Sequence, residues 1–207
     1  MMQKNTFELL NKGFGIPARV LQISAAAEEE VGDIFQELDD IMAYNQYKIL
    51  DAFQKNRISD MHFGWNTGYG YNDPGREALE RVYADIFGTD AALVRPTIVN
   101  GTHALTLMLA GILRPGDELI YCTGNPYDTL EEVIGIRGEG KGSLKEFGIQ
   151  YKQVELKKDG TIDFDALRAA ISPKTRIAAI QRATGYGWRK ATTIPEIEEW
   201  ATFVKSV

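Results

Sequence analysis

Residues 100–134 read NGTHALTLMLAGILRPGDELIYCTGNPYDTLEEVI, and this stretch decides the fold. After Asn-Gly-Thr-His comes ALTLMLAGIL, which is apolar on nearly all sides and predicts a helix that other layers cover on most sides. Residues 114–117 (RPGD) are typical of a turn, and residues 118–122 (ELIYC) are typical of a strand. DTLE at 128–131 resembles a capping box and predicts the start of another helix. The order helix, strand, helix indicates an α/β domain.

The same alternation continues on both sides of this stretch. Upstream, Asp73 and Pro74 are typical of a helix start and Gly88 of a helix end, and Ala91–Val94 reads as a short strand. Downstream, the pattern predicts a strand, a helix, a strand and a helix, at 150–156, at 163–171, at 176–181 and after Thr193. Strands that alternate with helices across short turns predict a mainly parallel sheet with flanking helices. Because the series ends on a helix, we expect the chain to be the front part of a larger domain.

A helical N-terminal segment, residues 1–60, precedes the α/β part, residues 61–207. Apolar residues recur in it at helical spacing: Val31, Ile34, Phe35, Leu38, Ile41, Met42, Ile49, Leu50 and Phe53. This stripe predicts one long helix, or two helices that are broken near Asn45 and Gln46.

The composition limits the functional classes. The 207 residues carry 23 Lys and Arg against 29 Asp and Glu, a net charge of −6, so nucleic acid is not expected as a partner. No apolar run of about 18 residues predicts a membrane span, and no apolar core of a signal peptide is present, so we expect a cytoplasmic protein with no membrane partner. The single cysteine, Cys122, excludes a disulfide framework, and two histidines do not support a histidine-rich metal centre.

Ligands of open parallel sheets bind beyond the carboxyl ends of the strands. Three loops are predicted there: 100–103, 123–128 and 182–189. In the first, Asn100 can cap a helix, and the N–H groups of Gly101, Thr102 and His103 then point outward as an anion site. The pattern is neither a Walker loop nor G-x-G-x-x-G, and a helix start with nothing bound is the alternative.

The other loops carry aromatic rings and arginines. Tyr127, just past a strand, either covers the end of the sheet or lays its ring on a planar ligand. Arg182 and Arg189, in RATGYGWR at 182–189, are either solvated or bind a carboxylate or phosphate. The segment HFGWNTGYGYN at 62–72 is either a surface loop or a loop that contacts a ligand. An anion site, an aromatic ring and arginines together fit a planar phosphorylated ligand with a carboxylate, such as pyridoxal phosphate.

Five blocks of sequence, in this order, resemble the methionine gamma-lyase-like family. They are TGYGYNDPGREALERVYADIFG, ALVRPTIVNGTHAL, LRPGDELIYCTGNPYDTLEEVIGIRG, GSLKEFGIQY and IQRATGYGWR. Members of this family are described as aluminium resistance proteins or cystathionine beta-lyases, and they are similar to the fold-type-I pyridoxal-phosphate enzymes of cysteine and methionine metabolism. The resemblance runs from about residue 20 to the end. It implies the N-terminal part of a fold-type-I large domain.

The resemblance also implies a site for pyridoxal 5'-phosphate. Gly101 and Thr102, with His103 beside them, resemble the family's phosphate-binding turn at the start of a helix. Tyr127 resembles the aromatic residue that stacks on the pyridine ring of the cofactor.

Further site residues follow from the same resemblance. Tyr69 or Tyr71, with Arg76, resembles a segment that reaches the cofactor phosphate of a neighbouring subunit. Which of the two tyrosines matches stays open, because their spacing to the following proline differs from better-known relatives. Arg182 and Tyr186 resemble residues that line the active site and bind the substrate.

Two residues of the family's site have no match. The Asp that pairs with the pyridine nitrogen and the Schiff-base Lys belong to later strands of the fold, so Lys190 and Lys205 are not assigned to that role. We therefore expect a lyase that acts on a small sulfur-containing amino acid and forms a homodimer or homotetramer, with this chain alone inactive. The alternative is a non-catalytic α/β module that binds a phosphate or nucleotide.

Overall fold

The computed structural model describes residues 4–69, 71 and 73–207. Residues 1–3 of the predicted helical segment, and Gly70 and Asn72 of the aromatic segment, therefore lie outside the described residues. The chain forms two compact units, Met1–Arg95 and Pro96–Val207. The predicted division after residue 60 stays a prediction.

The helices and strands follow one another in an order that matches an α/β protein. They are α1 (Lys4–Glu8), a π-helical turn (Leu9–Gly13), α2 (Ala18–Glu30), α3 (Gly32–Lys55), a 3-10 turn (Asp60–Phe63), α4 (Pro74–Phe87), α5 (Gly101–Ile112), β1 (Glu118–Tyr121), α6 (Asp128–Ile134), β2 (Gln150–Gln153), α7 (Phe164–Ala170), β3 (Thr175–Ala179) and α8 (Ile194–Ser206). Within the residues just given, no helix combines the length and the apolar character that crossing a membrane requires.

The N-terminal unit is helical, and its long helix is continuous. α3 runs through Asn45 and Gln46 without interruption, so the predicted break is wrong and the single helix is confirmed. Neither residue is a proline or glycine, the usual causes of a break. The side-chain amide of Asn45 donates to the carbonyl of Ile41, one turn earlier, at 2.8 Å, and the helix continues past it.

Local sequence signals place α4 correctly. The Asp73 carboxylate accepts a bond of 3.0 Å from the backbone N–H of Arg76, and Gly88 ends the helix with a φ of 64°. Gly75, in the first turn, allows a close approach of the preceding segment. A Cβ at Gly75 would lie 2.2 Å from the carbonyl oxygen of His62, so no larger residue fits there without a backbone shift.

The predicted strand at Ala91–Val94 is wrong. These residues follow α4 without regular secondary structure. The N–H of Val94 donates to the carboxylate of Glu80 on α4 at 3.0 Å, and the Arg95 guanidinium lies 2.9 Å from the same carboxylate. A strand forms only when a neighbouring strand pairs with its backbone, and here a side chain of α4 takes that place.

The C-terminal unit is built on a three-stranded parallel sheet. The strand order is β2-β1-β3, so β1 is central. Leu119 pairs with Tyr151 on one side and with Ile177 on the other. All four residues of β1 are buried, because both faces of the sheet are covered. The α/β fold with a parallel sheet and flanking helices is confirmed.

Two apolar clusters cover the two faces of this sheet. Side chains alternate along β1, so that Leu119 and Tyr121 face one cluster while Ile120 and Cys122 face the other. The first cluster also contains residues of α5 and α6, and the second contains residues of α7 and α8: Leu109, Leu130 and Ile134, and Leu167, Trp200 and Phe203. The sheet therefore lies between two layers of helices.

α5 is less covered than its sequence suggests. Leu109 is buried against the sheet, but Leu105, Leu107, Met108 and Ile112 are each between 43% and 45% exposed. A helix packed on a sheet buries only the stripe that faces the sheet. The expectation that α5 is covered on most sides is therefore not met by the described residues.

A buried carboxylate at the amino end of β1 bonds to residues of β2, of β3 and of the turn before β3. Glu118, at the start of β1, is 2% exposed. Its carboxylate lies 2.7 Å from the Lys152 ammonium of β2 and accepts bonds of 2.6 Å from Thr175 and 3.2 Å from Ser172. Burial raises the pKa of this carboxyl, but the bonds from Lys152, Thr175 and Ser172 outweigh it, and the net pKa is lowered.

Candidate functional site

A cavity of about 810 Å³ lies at the carboxyl edge of the sheet. The loops after β1, β2 and β3 line it with residues 123–128, 155–160 and 181 together with 184–190. Its volume is in the range of small-molecule and cofactor sites. The sequence predicted a site at this edge, and two of the three predicted loops meet there.

Tyr127 lies at the end of the β1 loop and is the N-terminal capping residue of α6. Its ring stacks against that of Tyr186, with ring centroids 6.4 Å apart and planes inclined by 27°. The bond and charge of the neighbouring Tyr186 hydroxyl raise the pKa of Tyr127, and Asp128 adds to this effect. The Tyr127 hydroxyl therefore stays protonated at neutral pH.

The helix start at Tyr127 does not contain the capping box suggested by DTLE. No side chain caps the first turn of α6, and the Asp128 carboxylate instead accepts a bond of 2.8 Å from the N–H of the next residue, Thr129. The helix was correctly predicted, but its capping was not.

The amino end of α5 leaves the N–H groups of Gly101 and Thr102 without a partner in the helix, one group fewer than the sequence predicts. The Asn100 side chain caps the helix by accepting a bond of 2.8 Å from the N–H of His103, so that group does not point at a ligand. Gly101 and Thr102 occupy the first turn, where N–H groups have no partner within the helix. The His103 imidazole bonds to the backbone just before the helix, because its Nδ1 accepts a bond of 3.4 Å from the N–H of Val99.

One hydrogen bond joins this helix start to the start of α6. The Thr102 and Thr129 hydroxyl oxygens are 2.7 Å apart. Thr129 follows Tyr127 by two residues, so the start of α5 lies next to the segment that carries Tyr127. This contact joins residues 27 positions apart, and no pattern in the sequence predicts it.

The loop after β3 separates its two arginines. Arg189 lines the cavity, but its guanidinium bonds the carbonyls of its own loop. Arg182 is exposed and is not among the lining residues, whereas Tyr186 is. The substrate-binding roles of Arg182 and Tyr186 stay predictions.

Three predicted site residues lie in the N-terminal unit. Tyr69 and Tyr71 are exposed. The Arg76 guanidinium lies 3.1 Å from the Asp73 carboxylate and so completes the start of α4. A role for these residues at a cofactor phosphate stays a prediction.

The sequence analysis placed Thr123 and Gly124 in a predicted loop without giving them a role, and it missed Glu155. The buried Thr123 hydroxyl accepts a bond of 3.0 Å from the N–H of Gln181, which fixes the β1 loop to the β3 loop. Glu155 lines the cavity beside Gly124, where a Cβ would lie 3.0 Å from the Glu155 carboxylate. Each of these residues follows a strand at its carboxyl end, which is the signal that could have found them.

Comparison with known proteins now identifies the family. The family model described as methionine gamma-lyase matches residues 20–207. The chain belongs to the methionine gamma-lyase family. This confirms the resemblance seen in the five sequence blocks.

Relatives within the methionine gamma-lyase family and solved structures agree with this assignment. The chain is 48% identical over 202 residues to the uncharacterized protein YnbB of Bacillus subtilis, covering 97% of this chain and 47% of that protein. The solved structure of a carbon-sulfur lyase involved in aluminum resistance from Clostridium novyi NT is 45% identical with a TM-score of 0.90, covering 100% of this chain and 49% of the other. L-methionine gamma-lyase of Pseudomonas putida is 30% identical over 120 residues, covering 55% of this chain and 26% of that enzyme. The chain thus spans about half the length of YnbB and of the Clostridium protein.

Proposed function

We propose that this chain supplies the phosphate-binding and ring-stacking residues of a pyridoxal-phosphate-dependent lyase that acts on sulfur-containing amino acids. The bond between Thr102 and Thr129 carries the proposal, because it joins a helix start of the kind that binds anions to the start of α6, where Tyr127 lies. Membership in the methionine gamma-lyase family, and the carbon-sulfur lyase from Clostridium novyi, support the reaction class.

The residues at the helix start fit a phosphate. Apart from the neighbouring residues and the backbone of α5 itself, no described atom lies within 4 Å of the place where a Cβ of Gly101 would be, so no other part of the chain covers this helix start. The N–H groups of Gly101 and Thr102 would donate to the phosphate, and the positive end of the α5 dipole would stabilise its charge. The Tyr127 ring would then support the pyridine ring.

Pyridoxal phosphate, when bound, supplies an electron sink that stabilises negative charge at the α-carbon of an amino acid. The Tyr127 hydroxyl remains protonated, so it can donate a hydrogen bond to the ligand or to a departing group.

Lys190 lines the same cavity, but its side chain forms an ion pair, which agrees with leaving it out of the Schiff-base role. Its bond of 2.9 Å to Glu196, together with the charge of that carboxylate, raises its pKa and keeps it protonated.

The stacking role of Tyr127 is tested by two substitutions. Tyr127→Ala removes the ring and is expected to weaken pyridoxal 5'-phosphate binding about three- to tenfold, since an aromatic pair is worth about 0.5–1.5 kcal/mol. Tyr127→Phe keeps the ring and should bind within about twofold of the unmodified chain. An absorbance titration with pyridoxal 5'-phosphate measures both. Equal losses in the two variants would show that the hydroxyl, and not the ring, binds the cofactor.

We also propose that the protein assembles as a homodimer or homotetramer. The apolar stripe of α3 (Ile34, Phe35, Leu38, Ile41 and Met42) is more than half exposed at every position. An exposed stripe of this kind favours association in water.

The oligomer is tested by light scattering at micromolar concentration. The unmodified chain is expected to scatter as a dimer or larger species, and Leu38→Lys should shift it toward the monomer, because a charge on the stripe opposes its burial. Gln36→Lys adds the same charge on the opposite side of α3 and should leave the assembly unchanged. A monomeric unmodified chain would contradict the proposal.

A further inference from the structure

We propose that Arg189 is a positioning residue that sets the orientation of the Tyr127 ring. It would do so by fastening the loop after β3, here called the 181–190 loop, against that ring. The inference rests on the proposed function in one respect, namely that Tyr127 stacks on the cofactor.

The Arg189 guanidinium holds the 181–190 loop together by bonding to backbone carbonyls of that loop. Its Nη2 donates to the carbonyl of Gln181 at 2.7 Å and to that of Ala183 at 2.8 Å, and its Nη1 donates to the carbonyl of Lys190 at 3.1 Å. The two ends of the loop are thereby joined through one guanidinium. A turn inside the loop, from the N–H of Gly187 to the carbonyl of Thr184 at 3.0 Å, shapes its tip.

The tip of the loop lies on Tyr127. A Cβ at Gly185 would lie 3.7 Å from Cδ2 of the Tyr127 ring, so Gly185 faces the ring edge and any side chain there would contact it. The next residue, Tyr186, stacks on the same ring. Gly185 has a φ of +58°, a conformation that favours glycine, and because glycine has no Cβ the space beside the ring stays free of a side chain.

The base of the loop is also held by a bond of 3.1 Å from the N–H of Thr192 to the carbonyl of Arg182, but this bond does not reach the tip. The Tyr186 ring is 87% exposed, so the tip packs against few other residues. The guanidinium is suited to the task because it is planar and has five N–H donors in a fixed fork, whereas a lysine ammonium has a single nitrogen on a flexible stem. Arg189→Lys therefore keeps the charge but cannot bond the carbonyls at both ends of the loop.

The first experiment needs no ligand. In the unmodified 207-residue chain with selectively labelled tyrosine, nuclear Overhauser contacts are expected between the Tyr127 ring and both Gly185 and Tyr186. Arg189→Lys should abolish them. Arg176→Lys, the same exchange at an exposed position of β3, should retain them. Retention of these contacts in Arg189→Lys would overturn the inference.

The second experiment separates positioning from a general structural role. Arg189→Lys is expected to weaken pyridoxal 5'-phosphate binding about two- to tenfold in the unmodified chain and to have no further effect in the Tyr127→Ala background, because the two residues then act through one contact. Independent, multiplying losses would overturn the inference. If Tyr127→Ala alone leaves the affinity unchanged, the stacking role in the proposed function fails, and the ring contacts still decide the role of Arg189.

Discussion

Replacing Gly101 with proline is expected to lower the affinity for pyridoxal 5'-phosphate about ten- to a hundredfold while the fold stays intact. Gly101 is the first residue of α5, the helix position at which proline is favoured. Asn100, the residue before it, has extended backbone angles (φ −162°, ψ 176°), as a residue before proline prefers. The exchange thus removes one N–H donor to a charged group, worth about 1.5–3 kcal/mol.

A matched control, Gly101→Ala, separates the effect of losing the N–H donor from the effect of adding a side chain at residue 101. Gly101→Ala keeps the N–H and places its Cβ in open space, so its affinity should stay close to that of the unmodified chain. Titration with pyridoxal 5'-phosphate and circular dichroism of all three proteins provide the comparison. A folded Gly101→Pro chain with undiminished affinity would show that the α5 amino end does not hold the phosphate.

Loss of the buried Glu118 carboxylate should have the largest effect on stability. Glu118→Ala leaves Lys152, Thr175 and Ser172 without the acceptor that joins the three strands. We expect the free energy of unfolding to fall by about 3 kcal/mol, since bonds to a charged group are worth about 1.5–3 kcal/mol each and are not additive. Glu118→Gln keeps the shape and one acceptor, and should cost less. Urea unfolding at pH 7 measures both.

The same carboxylate predicts a pH dependence. Its pKa in the folded chain is lowered, so its stabilisation is fully present above the unfolded value of about 4.3 and is lost as the pH falls through the lower folded value. The difference in unfolding free energy between the unmodified chain and Glu118→Gln should therefore shrink below about pH 4.3. A difference that stays constant down to pH 3 would show that the charge of Glu118 does not contribute.

Sequence reasoning located those parts of the molecule that local interactions determine. Asp73, Pro74 and Gly88 bracket α4 because capping and positive φ act within one turn. The run ELIYC predicted a strand, and the structure shows that this strand is buried because both faces of a central parallel strand are covered. Ala91–Val94 looked like a strand for the same local reason, but strand formation depends on a distant partner that the sequence does not show.

The candidate site shows the same division between local and distant interactions. Tyr127 and the α5 start were found because each follows a recognisable local pattern. The bond between Thr102 and Thr129, and the approach of Gly185 to Tyr127, depend on which distant residues the fold brings together. The bonds from Arg189 to the carbonyls of its own loop could not be predicted either, because a sequence does not show whether an arginine binds a ligand or its own backbone.

The parallel pairing of β1 also affects how the chain is made on the ribosome. Thr175, which bonds Glu118, is 57 residues farther along the chain. At about 5–20 residues per second, translation needs roughly 3 to 11 seconds to cover that interval. During this time the apolar strand ELIY has been synthesised while its β3 neighbour has not. β1 therefore stays without its β3 neighbour throughout that interval.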